Sequence, residues 1–473
     1  AAGVKTDVAA TRPTSSLVAP RDLAIIATAP VALPTPPATA RVIPSVPMAV
    51  LPTAAVSPST EAIVAAPSPT SVTVPTEASG EQTVIAGTRE AACASAVAHD
   101  SDTGTSGQAA TDDGADNVKY EPDTNTIRVG EGAATTLAAI SRALDQPEAL
   151  RESAPGEWLL SANLHIEEGA AVRIATPEVR RLKLRSDAGG FVWIKAFGGQ
   201  LEIARTCVTS WDAATGGYDQ NYEDGRAFIL ARDGARMDIR AAELTHLGYD
   251  ANESYGVALR LKGTRGEIVD SRLAYNYYGL YSYEASDLVI RGTEVHHSVM
   301  YGIDPHTRSN RLLIENNIAH HNGKHGIILA EECSDSVIRN NVSHSNTMHG
   351  IVLYQGSDGN IVEGNTAYAN GLQGINVNNA DDNTIRNNTV YENVEAGIGV
   401  GQDAKRNRVR GNLVRANHRD GITLYSDAEQ NEIRQNTVMD NGRYGIYLKS
   451  ENNTSADNDV FGNQEADIYP SGD

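Results

Sequence analysis

From about residue 250 to the end of the chain, apolar and polar positions recur on a fixed beat. A glycine followed by an aliphatic residue stands at Gly256, Gly279, Gly302, Gly326, Gly350, Gly374, Gly397, Gly421 and Gly445, at intervals of 23 or 24 residues. One and three residues after each glycine the side chains are mostly apolar, as in Val257/Leu259, Ile327/Leu329 and Ile422/Leu424. Strand geometry sends such alternate positions to one face, so these form the inside of a coil. Two and four residues after the glycine point outward: Ala258/Arg260, Tyr281/Tyr283, Asp304/His306, Ile328/Ala330 and Thr423/Tyr425. Two asparagine columns run in the same register, Asn317, Asn341, Asn365, Asn388, Asn412, Asn436 and Asn322, Asn346, Asn370, Asn393, Asn417, Asn441. Asparagine tolerates the left-handed backbone of sharp turns, and its amides can bond from coil to coil. The leucine-rich pattern L-x-x-L-x-L-x-x-N is absent. The beat therefore predicts an all-β chain, a right-handed parallel β-helix of 23–24-residue coils. Upstream, short strands are expected at 157–161, 171–174, 191–196, 201–203 and 228–230. The run 135–144 reads as an amphipathic helix, with Leu137, Ile140 and Leu144 on one face, capping the first coil.

Composition divides the chain. Of 19 prolines in 473 residues, 13 lie between Pro13 and Pro75, and between Pro177 and Pro470 only Pro305 occurs. Residues 1–116, rich in Ala, Pro and Thr, read as a disordered linker or stalk, and 117–473 as the β-helix domain. Parallel ladders need each N–H, which explains the scarcity of proline in the second part. A net charge of −21 and a pI near 5.0 argue against nucleic acid. No apolar run is long enough to span a membrane. The three cysteines show no zinc spacing and allow at most one disulfide. Among 25 aromatic residues 18 are tyrosines, which suggests rings with polar tips at a surface.

The residue before each repeat glycine forms a further column: Tyr255, Tyr278, Tyr301, His325, His349, Gln373, Ala396, Asp420 and Tyr444. A strip of tyrosines with interspersed polar groups suits a polysaccharide, whose sugar faces stack on rings. Pro305 breaks the pattern at an inward strand position, between Asp304 and His306 and close to Tyr301. A local rule broken once marks a functional coil. His306 is the candidate base, Asp304 an orienting carboxylate and Tyr301 a second proton donor, as proton abstraction next to a carboxylate requires. Cations to neutralise that carboxylate would come from Arg260, Lys262, Arg308, Arg311 or Lys324. Tyr281, Tyr283 and His325 complete the expected substrate strip. Residues 256–330 hold 8 Lys/Arg against 7 Asp/Glu, which relieves the overall negative charge there. His320, His321, His325 and His349 lack metal-ligand spacing and read as groove or turn residues. Asp304 with Glu331 or Glu332 could also form a glycosidase pair.

The segments "YGLYSYEASDLVIRG", "YGIDPHTRSNRLLI" and "KHGII" resemble the periplasmic β-helix alginate epimerases, the poly(β-D-mannuronate) C5-epimerases. The D-P-H core is similar to that of the secreted, calcium-dependent enzymes of the same chemistry. The resemblance implies that His306 abstracts the C5 proton, that Asp304 orients or tunes it, and that Tyr301 serves the opposite face. It implies an anionic, alginate-like polysaccharide as substrate, a monomer exported to the periplasm or cell surface, and no required cofactor, with calcium possible. Two positions depart from the family. Thr307 replaces an aspartate, and Glu331 stands where a carboxylate-binding arginine is expected, so Arg308, Arg260, Lys324 or a bridging cation would take over that task. A β-helical polyuronate lyase and a non-catalytic glycan-binding solenoid are the alternatives.

Overall fold

The computed structural model describes residues 117–470. The linker expected over residues 1–116 lies outside the described residues. The described chain is a right-handed β-solenoid built from three long sheets of 15, 13 and 16 strands. Within each sheet, strands one coil apart pair in parallel, as Gly256–Arg260 with Tyr278–Tyr283 and then with Ile303–His306. Antiparallel pairs occur near the start, where Val118–Glu121 meets Thr126–Val129 and Leu150–Ala154 meets Glu157–Leu160. The expected helix is present as Leu137–Leu144. Thr136 caps it by accepting the Ala139 N–H, and Leu137 and Ile140 are fully buried against the first coil.

The inward positions behave as the beat requires. Val257, Leu259, Ile303, Ile327, Leu329, Ile351, Leu353, Ile422 and Leu424 all lie in one continuous core with no exposure. At Pro305 the ladder to the following coil keeps only its two ends, Ile303 with Ile327 and His306 with Ala330. The missing proline N–H accounts for the gap.

The asparagine columns form ladders bonded from coil to coil through their amides, as expected, but the expected left-handed backbone falls on other residues. The ladder residues are not the left-handed ones. The residue before each takes that conformation, for example Asn316 (φ 57°), Asn340 (φ 54°), Gly364 (φ 64°) and Asn387 (φ 54°). The left-handed residue turns the chain, and the next amide is thereby buried inside the turn. There Asn388 donates Nδ2 to Val362 O and to Asn412 Oδ1, both at 2.9 Å, while its Oδ1 accepts from Asn365 N and Nδ2. A third ladder runs through Asn360, Asn383, Asn407, Asn431 and Asn453. Its members stand at the same spacing and could have been read from the sequence.

Candidate active site

The outer face of the 15-stranded sheet carries the strip. Successive coils bring Arg260, Tyr283, His306 and Ala330 into one column, and Ala258, Tyr281, Asp304 and Ile328 into the next. The face is less open than alternation suggested. Ala258, Tyr281, Ile328, Ala330 and Val352 are all buried although they point away from the core. The large rings cover the small residues beside them. Phe228, Leu230, Ala258 and Tyr281 form a second apolar cluster, roofed by Tyr249, Tyr255, Tyr278 and Tyr283. Ile328, Ala330 and Val352 form a third, packed by Tyr301. The strip is thus a firm aromatic floor.

Asp304 is the largest departure from expectation. It is 0% exposed, and neither carboxyl oxygen meets a protein donor. Burial pushes its carboxyl well above the usual carboxylate range, the charge of Glu331 adds to this, and Lys324 opposes it. Its charge is felt by Tyr255, Tyr278, Tyr281 and Tyr301. Asp304 is therefore a buried acid of raised proton affinity, enclosed by tyrosines, and it makes no hydrogen bond to His306.

That task falls to the next turn. His306 Nδ1 lies 2.7 Å from Thr307 Oγ1, and the same hydroxyl donates to Glu331 Oε2 at 2.9 Å. Glu331, expected to face the substrate, instead faces the base. The ring of His306 leans on Tyr281, with centroids 5.8 Å apart. Burial lowers the proton affinity of His306, Glu331 works against this, and Arg260 adds to it. The imidazole is thus neutral at pH 7 and able to accept a proton.

Tyr301 stands at the other end of the same coil. Its ring stacks on His325 (5.1 Å, 22°), which stacks on His349 (4.9 Å, 28°). Burial, with Asp304 second, pushes the Tyr301 phenol up to about 12, which keeps it a proton donor. His325 was expected to touch substrate. It is instead a buried ladder member, pushed down to about 3 by burial, and its Nδ1 accepts the His349 N–H at 3.3 Å. His320 and His321 lie on the 16-stranded sheet and its turn, not in the strip. They stack there with His296, His297 and His344.

The candidate cations separate. Arg308 is exposed and held by Glu284 and Glu332. Arg311 is held by Asp287. Lys324 lies 5.2 Å over the Tyr301 ring. Arg260 lies over Tyr283 at 4.8 Å and Tyr281 at 5.9 Å. Its Nη1 donates to Asn252 at 2.7 Å, and its buried Nε has no protein acceptor. Arg260 and Lys324 are thus placed on the two sides of the coil bearing His306.

Such a strip, with a neutral imidazole and a high-affinity phenol on one coil, sits on a fold shared with known proteins. The solenoid resembles that of the periplasmic alginate epimerases. A solved structure of the periplasmic alginate epimerase AlgG matches with a TM-score of 0.65 and 25% identity, over 72% of this chain and 85% of that one. The mannuronan C5-epimerase of Pseudomonas aeruginosa is 32% identical over 197 residues, 39% of this chain and 35% of that protein. The Azotobacter vinelandii mannuronan C5-epimerase AlgG is 31% identical over 198 residues, 39% of this chain and 37% of that protein. The matched stretches thus cover little more than a third of these relatives' own length. Two family models also match: "Periplasmic copper-binding protein (NosD)" over residues 240–412 and "Right handed beta helix region" over 352–473. Among the described residues no group of three or more His, Cys, Asp or Glu is arranged to hold a metal ion. The paired imidazoles at His296/His297 and His320/His321 are engaged with each other, Nδ1 to Nδ1 at 2.7 Å. No helix among the described residues is long and apolar enough to cross a membrane.

Proposed function

We propose that this protein is a polymer-level C5-epimerase that converts β-D-mannuronate to α-L-guluronate in an alginate-like polyuronate. The observation that carries this reading is one coil holding both His306, its Nδ1 engaged by Thr307, and Tyr301 on an aromatic strip. The polymer lies along the strip, across the strands, with a sugar face on Tyr283. His306 Nε2 takes the C5 proton. The C5–H bond breaks, an N–H bond forms, and the electron pair moves into C5–C6 as the carboxylate becomes an enediolate. Arg260, whose guanidinium lies over Tyr283, stabilises that charge, because a fixed guanidinium in a poorly solvated site is worth far more than in water. The Tyr301 hydroxyl returns a proton to C5 from the other face. Water then reprotonates the phenolate and accepts the proton from His306, so the enzyme is restored with no net change in protons. No cofactor takes part in this scheme, and calcium has no assigned role in it. The similarity to a periplasmic epimerase supports export to the periplasm as the setting. Incubation with polymannuronate, followed by proton NMR, is expected to show guluronate signals. Their absence from a panel of polyuronates would overturn the reading, and unsaturated chain ends would point to a lyase instead.

A further inference from the structure

The turn after His306 contains a residue that backbone energetics disfavours. Thr307 has φ 27°, a conformation that a β-branched side chain adopts only under strain. The positions stacked with it on neighbouring coils, Glu284, Glu331, Gln355 and Asn379, are also left-handed but unbranched at Cβ. The strain at Thr307 is therefore retained against easy alternatives, and the one feature that distinguishes this side chain is its hydroxyl.

That hydroxyl is the bridge in a three-member chain. Nδ1 of His306 is 3.7 Å from Glu331 Oε2, too far for a direct hydrogen bond, whereas each half of the path through Thr307 Oγ1 is 2.7 and 2.9 Å. The polarity follows from the donor inventory. An ionised carboxylate only accepts, so the single hydroxyl proton points to Glu331. The hydroxyl lone pair must then face a donor, which places the imidazole proton on Nδ1. Nε2 is left with its lone pair free.

We propose that Thr307 and Glu331 are positioning residues that fix His306 in the Nδ1–H tautomer, so that Nε2 is the base. The inference rests on the epimerase reading for its catalytic meaning, but the tautomer can be observed without turnover. A hydroxyl-bridged carboxylate does here what a directly bonded carboxylate does in a hydrolase triad. It also explains why a glutamate is tolerated in a strip for a polyanion, since its charge is turned toward the base. The charged and titratable groups that face His306 are Glu331 from the next coil, Arg260 and Tyr281 from the preceding coils, and Tyr283 beside it in register. Of these only Glu331 favours the protonated imidazole, so loss of its charge must lower the His306 titration midpoint.

The test is nitrogen NMR of the full chain labelled at histidine, with His306→Gln used only to assign the resonances. In the wild type, Nδ1 is expected at a protonated and Nε2 at an unprotonated shift. Thr307→Gly removes the hydroxyl while relieving the backbone strain, so the protein should fold. The tautomer should then move toward Nε2–H, and kcat on polymannuronate should fall by at least about tenfold with KM little changed. Thr307→Ser should restore both. Glu331→Gln should lower the His306 midpoint. A wild-type Nε2–H tautomer, or a tautomer unchanged in Thr307→Gly, would overturn the proposal. The expected tautomers without any epimerisation by the wild type would instead overturn the functional reading and leave the relay standing.

Discussion

Two regions of one solenoid follow opposite rules. In the later coils each turn buries an asparagine whose amide is used several times over, as at Asn388, Asn412 and Asn436. In the coil from Tyr301 to Thr307 a carboxyl is buried with no protein donor, a proline interrupts the ladder, and a threonine holds a strained backbone angle. The first region shows how a parallel β-helix is stabilised, by satisfying polar groups in register. The second gives up part of that stabilisation for groups held in reactive states. A buried acid and a phenol of raised proton affinity and an imidazole of lowered affinity arise there because the aromatic floor excludes water.

The comparison can be broken most decisively at His306. Replacing it with alanine is expected to lower kcat by roughly 10²- to 10⁴-fold while the melting temperature changes little, because the ring packs against the floor and not in the core. Activity of the wild type should fall on the acid side as pH drops through the His306 midpoint, which burial places below the ordinary histidine value. Kinetics across pH, with circular dichroism as a check on folding, would show this. The ladder region should show the reverse pattern. Asn388→Ala removes an amide with four hydrogen-bond partners and is expected to destabilise by about 2–4 kcal/mol, with turnover retained at temperatures where the fold persists. Denaturant melts would measure it. A smaller effect of opposite sign is expected at Asp304. Asp304→Leu replaces an orphaned buried acid with an apolar side chain and should stabilise by about 1–3 kcal/mol, while turnover falls. A destabilised Asp304→Leu would mean that the carboxyl has a structural partner after all.

A pH-dependent loss of stability is shared between the regions. His246, His296, His325, His344 and His349 are pushed down by burial to between about 3 and about 4. Their folded-state values lie below the unfolded one, so the unfolded chain binds protons first as pH falls. Their contribution to stability is fully present above the ordinary histidine value near 6.5 and is lost progressively as pH drops toward 3–4. Melting temperatures from pH 7 to pH 4 should trace that loss.

Much of this was legible in the chain. The 24-residue beat, the apolar alternation and the capping helix specify a parallel solenoid, because each depends on local periodicity. The coil that breaks the beat, at Pro305, could also be located, and with it Tyr301 and His306. The division of labour among the carboxylates could not. Asp304 stands two residues from His306 in sequence, and Glu331 lies one coil on, next to the residue in register with it. Which of them is sealed under tyrosines, and which reaches the imidazole through Thr307, depends on how rings from three coils pack. Likewise Arg260, Arg308 and Lys324 are equivalent as cations in a string of letters. Partnership with Glu284 and Glu332 occupies Arg308, while Arg260 keeps a buried, unpaired Nε above the floor. The sequence alone determined the repeat, the core and the position of the exceptional coil, since these follow from period and side-chain type. Proton affinities, the bridging hydroxyl and the placement of the Arg260 guanidinium were decided only by tertiary structure, because they depend on desolvation and on angstrom-scale distances between residues some 24 positions apart.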